Sequence, residues 1–343
     1  MMENVILKKL NLGIELLRMI FSFLIIVFHI HSRRRSNFIL FIALYFIDLY
    51  TSSFFLISFY FSFKNFTSKD IIVKKKRLQR IIIPHIIWPI FIYLENNIYV
   101  YSTVNIKIKQ YSIRDLIIQL VIGRRINDVF WFQFNLIIIS IFIMILMLIF
   151  SKKNSFYFLS ILLIISAFFN IKKMNLIIFN SYKLSVIHSV ARISFSIIYS
   201  ITGLFLGSIH ILEKINNHYQ FIILLFSPFF IYAFNIYKKL NEYFPNYKSL
   251  FIDILIIILF IIFGLLPLKR IFKKNLFFLF RALTSFTAGV YYMHLYIYKI
   301  IIRFYRITYI SWKVCIVIYL SCYLISLIFS NVFKKSSLKY LFI

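Results

Sequence analysis

Long apolar runs follow one another from end to end of the chain, separated by short basic clusters. Ten runs can be counted, at roughly 12–31, 38–63, 81–100, 131–150, 155–170, 190–212, 219–237, 250–268, 284–303 and 309–333. A helix that crosses a bilayer needs roughly 20 mostly apolar residues, and most of these runs reach that length. Strands of a membrane barrel would instead alternate over about ten residues. The stretch 251–267 reads FIDILIIILFIIFGLLP and does not alternate. The pattern therefore predicts an all-α, polytopic integral membrane helix bundle of about ten transmembrane helices. It forms a single domain over 1–343, with no appended soluble domain expected. The run 155–170 is the shortest, and its end is poorly marked. The polar-tinged stretch 101–130 is the main loop, with room for a short amphipathic helix.

Composition agrees with the pattern. Hydrophobic residues make up 62% of the 343 residues, where a soluble chain is roughly half apolar. The mean hydropathy is +0.89. Forty Lys+Arg against ten Asp+Glu give a net charge of +30. In a soluble chain such a charge points to nucleic acid. Here the basic residues fall mainly in the breaks between apolar runs, so the expected partner is the lipid bilayer and its anionic headgroups, not nucleic acid. The two cysteines, Cys315 and Cys322, lie on one expected helix about 10 Å apart along its axis, too far to bridge. No zinc or other metal spacing is present. The first run ends in His29-Ile30-His31 and three arginines without a small-residue cleavage motif, so an uncleaved helix is expected.

Orientation follows from the basic residues. With an even number of spans the termini share one side, whose segments carry 20 Lys/Arg against 15 on the other. The densest clusters, 64–80 and 269–281, fall on the first side, which is therefore read as cytoplasmic. The protein is then a multi-pass protein of the plasma (cytoplasmic) membrane with both termini inside. Arg33, Arg34 and Arg35 run against this assignment.

Ionisable groups inside apolar spans cost on the order of a few kcal/mol unless paired or hydrated, which makes them site candidates. The first run holds Glu15, Arg18 and His29. Eleven residues separate Arg18 from His29, which brings them within about 20° of one helical face and about 16 Å apart along the axis. A cation and a titratable imidazole on one stripe suit a polar cavity; the alternative is an arginine and a histidine each reaching a headgroup boundary. Arg77 and Arg80, in Lys74-Lys75-Lys76-Arg77-Leu78-Gln79-Arg80, are neighbours on one helical face. Two guanidiniums so placed can grip phosphate oxygens bidentately, or simply flank a membrane span. His294 sits in an otherwise apolar run as a core residue or a ligand. Trp131 and Asn135 open the fourth run. Asp48 and Asp253 lie in or beside spans and are potential partners for basic groups, whereas His188, His210 and His218 fall near ends or loops. Nucleotide-binding glycine patterns and the common hydrolase motifs are missing from the sequence.

Taken in order, Glu15-Leu16-Leu17-Arg18 through Phe28-His29, Phe54-Phe55-Leu56-Ile57-Ser58-Phe59, Arg77-Leu78-Gln79-Arg80 before Pro84, Trp131-Phe132-Gln133, Gly203 to Gly207, and Ser285 to His294 resemble the membrane acyltransferase family 3. These are O-acyltransferases of surface polysaccharides. Phe59 stands at a usual glycine, and Gln133 at a usual leucine. The resemblance covers nearly the whole chain. It implies an acyl-CoA co-substrate, most often acetyl-CoA, no metal, and a hydroxyl of a surface or lipid-linked glycan as acceptor. His29 is then the general base, Arg18 holds the donor or a developing oxyanion, and Arg77 with Arg80 holds the coenzyme phosphates. The oligomeric state does not follow from it. A different class, an exporter of a glycan or lipid-linked intermediate without covalent chemistry, would show repeated halves and interrupted helices; neither stands out.

Overall fold

The structure, a computed structural model, describes residues 12–31, 47–63, 71–99, 111–123, 126, 130–150, 152–177, 184–208, 258–264, 287–305, 312–333 and 336. Among these residues the chain is helical and holds no strand. The helices are α1 (Leu12–His31), α2 (Ile47–Phe63), α3 (Ile71–Tyr99), α4 (Ile113–Ile122), α5 (Phe130–Ile149), α6 (Lys152–Ile177), α7 (Leu184–Ser208), α8 (Thr287–Tyr305) and α9 (Trp312–Val332). Among the described residues three helices are long and apolar enough to cross a membrane: Arg77–Asn97 within α3, Phe130–Ile149 and Lys313–Val332. Their outward positions are apolar too: Ile138, Ile145 and Leu148 on α5 and Leu320 and Leu324 on α9 are exposed. In water such faces would be a liability; in lipid they are the expected surface. The expected runs 219–237 and most of 250–268 lie outside the described residues, as do Arg33–Arg35, Asp253, His210, His218 and the cluster 269–281.

Helix edges depart from the apolar runs where good helix formers extend them. α3 begins at Ile71, ten residues before the run that starts at 81, because Lys, Arg and Gln continue a helix readily. Its two prolines, Pro84 and Pro89, stay inside the helix. α6 runs over Lys152–Ile177, longer at both ends than the expected 155–170.

The chain divides into two compact units, one of residues 1–66 and 160–287, the other of residues 67–159 and 288–343. In the first, α1 meets α2 through Phe21 and Tyr50, whose ring centroids are 5.3 Å apart. The closest packing is between α2 and α7. Gly203 lies against the Leu56 carbonyl and Gly207 against that of Tyr60. Both numbers rise together by four, so the two helices run parallel. Gly203 and Gly207, two small residues one turn apart, thus serve backbone-on-backbone packing. Phe59, at the usual glycine of α2, is fully buried; the approach is made possible by glycines on the partner helix instead.

In the second unit α4 is the short helix expected within 101–130. Ser112 caps it: the hydroxyl accepts from the Asp115 amide and the Asp115 carboxylate accepts from the Ser112 amide, a reciprocal capping box. At the other end Gly123 takes a left-handed conformation (φ 74°), and its N–H donates to Gln119 O. Side chains of α3 hold both ends. Asn97 Nδ2 donates to Tyr111 O at 3.1 Å and Asn97 Oδ1 accepts from the Tyr111 amide at 3.3 Å. His85 Nε2 donates to Leu120 O at 2.9 Å. α4 therefore runs antiparallel along α3, back over the twelve residues from Asn97 to His85, about 18 Å of helix axis. Gln119 Oε1 accepts from the Ile126 amide at 2.8 Å, so non-helical backbone beyond the helix is tied down as well. Residues 111–123 are thus folded back along α3.

Candidate functional site

Each unit carries part of the expected chemistry. In the first, one uninterrupted helix, α1, holds Glu15, Arg18 and His29. Glu15 and Arg18, three residues apart, form an ion pair: Arg18 Nη1 donates to both carboxylate oxygens, at 2.9 and 3.1 Å. Their side chains are 11% and 29% exposed. The pair resolves how a guanidinium is carried in an apolar helix, because its charge is matched one turn away. His29 is half-buried and stands edge-on to Phe28, ring centroids 5.1 Å apart. The helix keeps His29 three turns from Arg18, on the stripe that the spacing predicts.

In the second unit Arg77 and Arg80 lie on α3 three residues apart, as neighbours on its surface. Arg80 is exposed while Arg77 is partly buried. Trp131 is half-buried and edge-on to Phe132 at 6.4 Å. Asn135 is 4% exposed, and His294 is fully buried. His294 Nδ1 is 3.1 Å from Val290 O, one turn back on its own helix, so it carries the hydrogen and donates. Cys315 and Cys322 are free thiols on α9, both buried. No group of three or more His, Cys, Asp or Glu side chains among the described residues is placed to hold a metal ion. The side chains of Asp48 and His188 lie outside the described residues.

Two residues with weak sequence signals turn out to be central. His85 is 5% exposed, and its ring lies 6.0 Å from Phe134 and 6.5 Å from Phe130. Gln133 is 1% exposed, and its Nε2 donates to Ile81 O at 2.6 Å. Ile81 is one turn before His85 on α3, and Gln133 lies between Phe130 and Phe134 on α5. His85 and Gln133 therefore meet at one seam. Phe130 stacks on Tyr292 of α8 (6.2 Å, 2° between planes), Tyr292 meets Tyr291 at 5.7 Å, and Tyr291 meets His294 at 6.2 Å. A continuous series of ring contacts thus connects the two buried imidazoles. The one available signal was Gln133 at a usual leucine: a long amide inside an apolar run requires a partner.

Comparison with protein-family models, curated sequences and solved structures gives no significant match.

Proposed function

We propose that the protein is a membrane O-acyltransferase of about ten spans, transferring an acyl group, acetyl in the first instance, from acyl-CoA to a hydroxyl of a surface or lipid-linked glycan. The observation that carries the reading is the Glu15–Arg18 ion pair on α1, with His29 eleven residues further along the same helix. This is the acidic residue, arginine and histidine order that the family resemblance requires. Its physics suits the role. Glu15 fixes the guanidinium of Arg18 without quenching its hydrogen-bonding capacity, because five donors share two carboxylate oxygens. His29 is the natural base at neutral pH. It takes the proton of the acceptor hydroxyl as the oxygen attacks the thioester carbonyl. The C–S bond then breaks, and the departing thiolate receives that proton from the imidazolium. Arg18 stabilises the oxyanion or holds the donor's polar arm. Arg77 and Arg80 hold coenzyme phosphates bidentately from the cytoplasmic face. In this reading both termini are cytoplasmic and the protein resides in the plasma membrane.

The test is release of free coenzyme A thiol from acetyl-CoA by the purified full chain in nanodiscs, with and without extracted surface glycan. The expected result is glycan-dependent thiol release in the wild type and its loss in His29→Ala at unchanged expression and membrane insertion. Undiminished release by His29→Ala overturns the assignment of the base. No release by the wild type, with transport of labelled glycan into vesicles instead, overturns the reading as a whole.

A further inference from the structure

The contact between α3 and α5 contains two buried acceptors that the proposed chemistry does not use. His85 Nε2 faces the Leu120 carbonyl, so it must carry the ring hydrogen, which leaves Nδ1 as a lone-pair acceptor. Gln133 Nε2 faces the Ile81 carbonyl. A flipped amide would set oxygen against oxygen, so Oε1 points elsewhere, again as an acceptor. Both His85 Nδ1 and Gln133 Oε1 are buried and make no hydrogen bond. Buried polar atoms of native proteins are nearly always satisfied by protein or by a small bound molecule. The two belong to one seam, since Gln133 bonds the carbonyl one turn before His85 and the rings on either side of Gln133 flank the imidazole.

We propose that this seam binds a neutral hydroxyl group that donates to His85 Nδ1 beside Gln133 Oε1, from a sugar-like polyol or from a water molecule. Three features select that chemistry. Both groups are acceptors, so the ligand must donate. Each is neutral in this tautomer, so a neutral donor brings no uncompensated charge into an apolar seam. Phe130 and Phe134 wall the site, leaving little for a polar ligand except these acceptors. Two further buried polar groups, one an amide donor and one a hydroxyl, lie along the same faces. Asn96 lies eleven residues past His85 and Ser140 seven past Gln133, each returning to within about 20° of the starting direction. Asn96 Nδ2 and Ser140 Oγ are likewise buried without a hydrogen bond. The inference stands independently of acyl transfer.

Solid-state 15N spectra of histidine-labelled full chain in lipid test it. His85 is assigned without a variant, by the contact of its Nε2 with a 13C-labelled leucine carbonyl. The expected spectrum shows Nε2 protonated and Nδ1 shifted upfield as a hydrogen-bonded acceptor, with the upfield shift lost in Gln133→Met. Methyl glucoside distinguishes the sources. A concentration-dependent move of the Nδ1 signal and of the thermal midpoint, absent in Gln133→Met, identifies a sugar hydroxyl. A hydrogen-bonded Nδ1 indifferent to methyl glucoside but in contact with water protons identifies water. An Nδ1 signal at the position of a bare lone pair, unchanged by either addition, overturns the proposal.

Discussion

Replacing Gly203 by alanine adds a single methyl group to α7, and its effect can be worked from the packing. Inside an exposed helix this change is favourable by about 1 kcal/mol. At Gly203 the new Cβ falls on the Leu56 carbonyl, with the Leu56 carbonyl carbon 2.9 Å away. The obstacle is backbone, not the end of a flexible side chain, so no rotamer change relieves it and the helices must separate. At Gly207 the new Cβ is 2.7 Å from Tyr60 O, against the 3.4 Å at which ordinary contact begins; relief needs an opening of about 0.7 Å. Overpacking of this kind costs typically about 1–3 kcal/mol. The clash exceeds the propensity gain at both positions, more clearly at Gly203. The expected order of stability is wild type, then Gly207→Ala, then Gly203→Ala, by thermal or SDS unfolding of purified protein in detergent. A Gly203→Ala protein as stable as wild type, or less perturbed than Gly207→Ala, refutes the backbone contact.

Other perturbations address the remaining features. Glu15→Gln strands the Arg18 guanidinium. Breaking a fully buried pair costs about 3–5 kcal/mol; with side chains 11% and 29% exposed, water screens part of the loss, and about 1–3 kcal/mol is expected. The double variant Glu15→Gln, Arg18→Met should recover most of the thermal midpoint, and a single variant indistinguishable from wild type would show that the pair is idle. Asn97→Leu removes both bonds to the Tyr111 backbone, at a cost of about 1–3 kcal/mol. Hydrogen exchange should then quicken across residues 111–123 while α5 stays protected; unchanged exchange there would mean that Asn97 does not anchor α4.

Much of the helical layout was legible because hydrophobic length is a local property. The capping of α4 was legible in part, since Ser112 and Asp115 are three residues apart. Gly203 and Gly207 are a pair of small residues one turn apart, but their partner lies 147 residues away and is recognisable only in three dimensions. Glu15 and Arg18 are readable as a pair because a helix makes neighbours of residues three apart. His85 and Gln133 were not readable as a pair. The bonds that define them reach across 35 and 52 residues, and no periodicity within one helix encodes a carbonyl on another. The return of α4 along α3 was hidden for the same reason: Asn97 and His85 look like ordinary polar interruptions of an apolar helix until their backbone partners are seen.

The contact between α2 and α7 also has a place in time. Its two sides are separated by about 140 residues of chain, and at about 5–20 residues per second of synthesis some 7–28 s pass between the emergence of Tyr60 and that of Gly203. Throughout that interval the carbonyl ridge of α2 waits in the growing protein for a helix not yet made. The contact can close only once α7 has been made. It acts as a late clasp, so weakening it should chiefly hasten disassembly and leave early assembly nearly untouched.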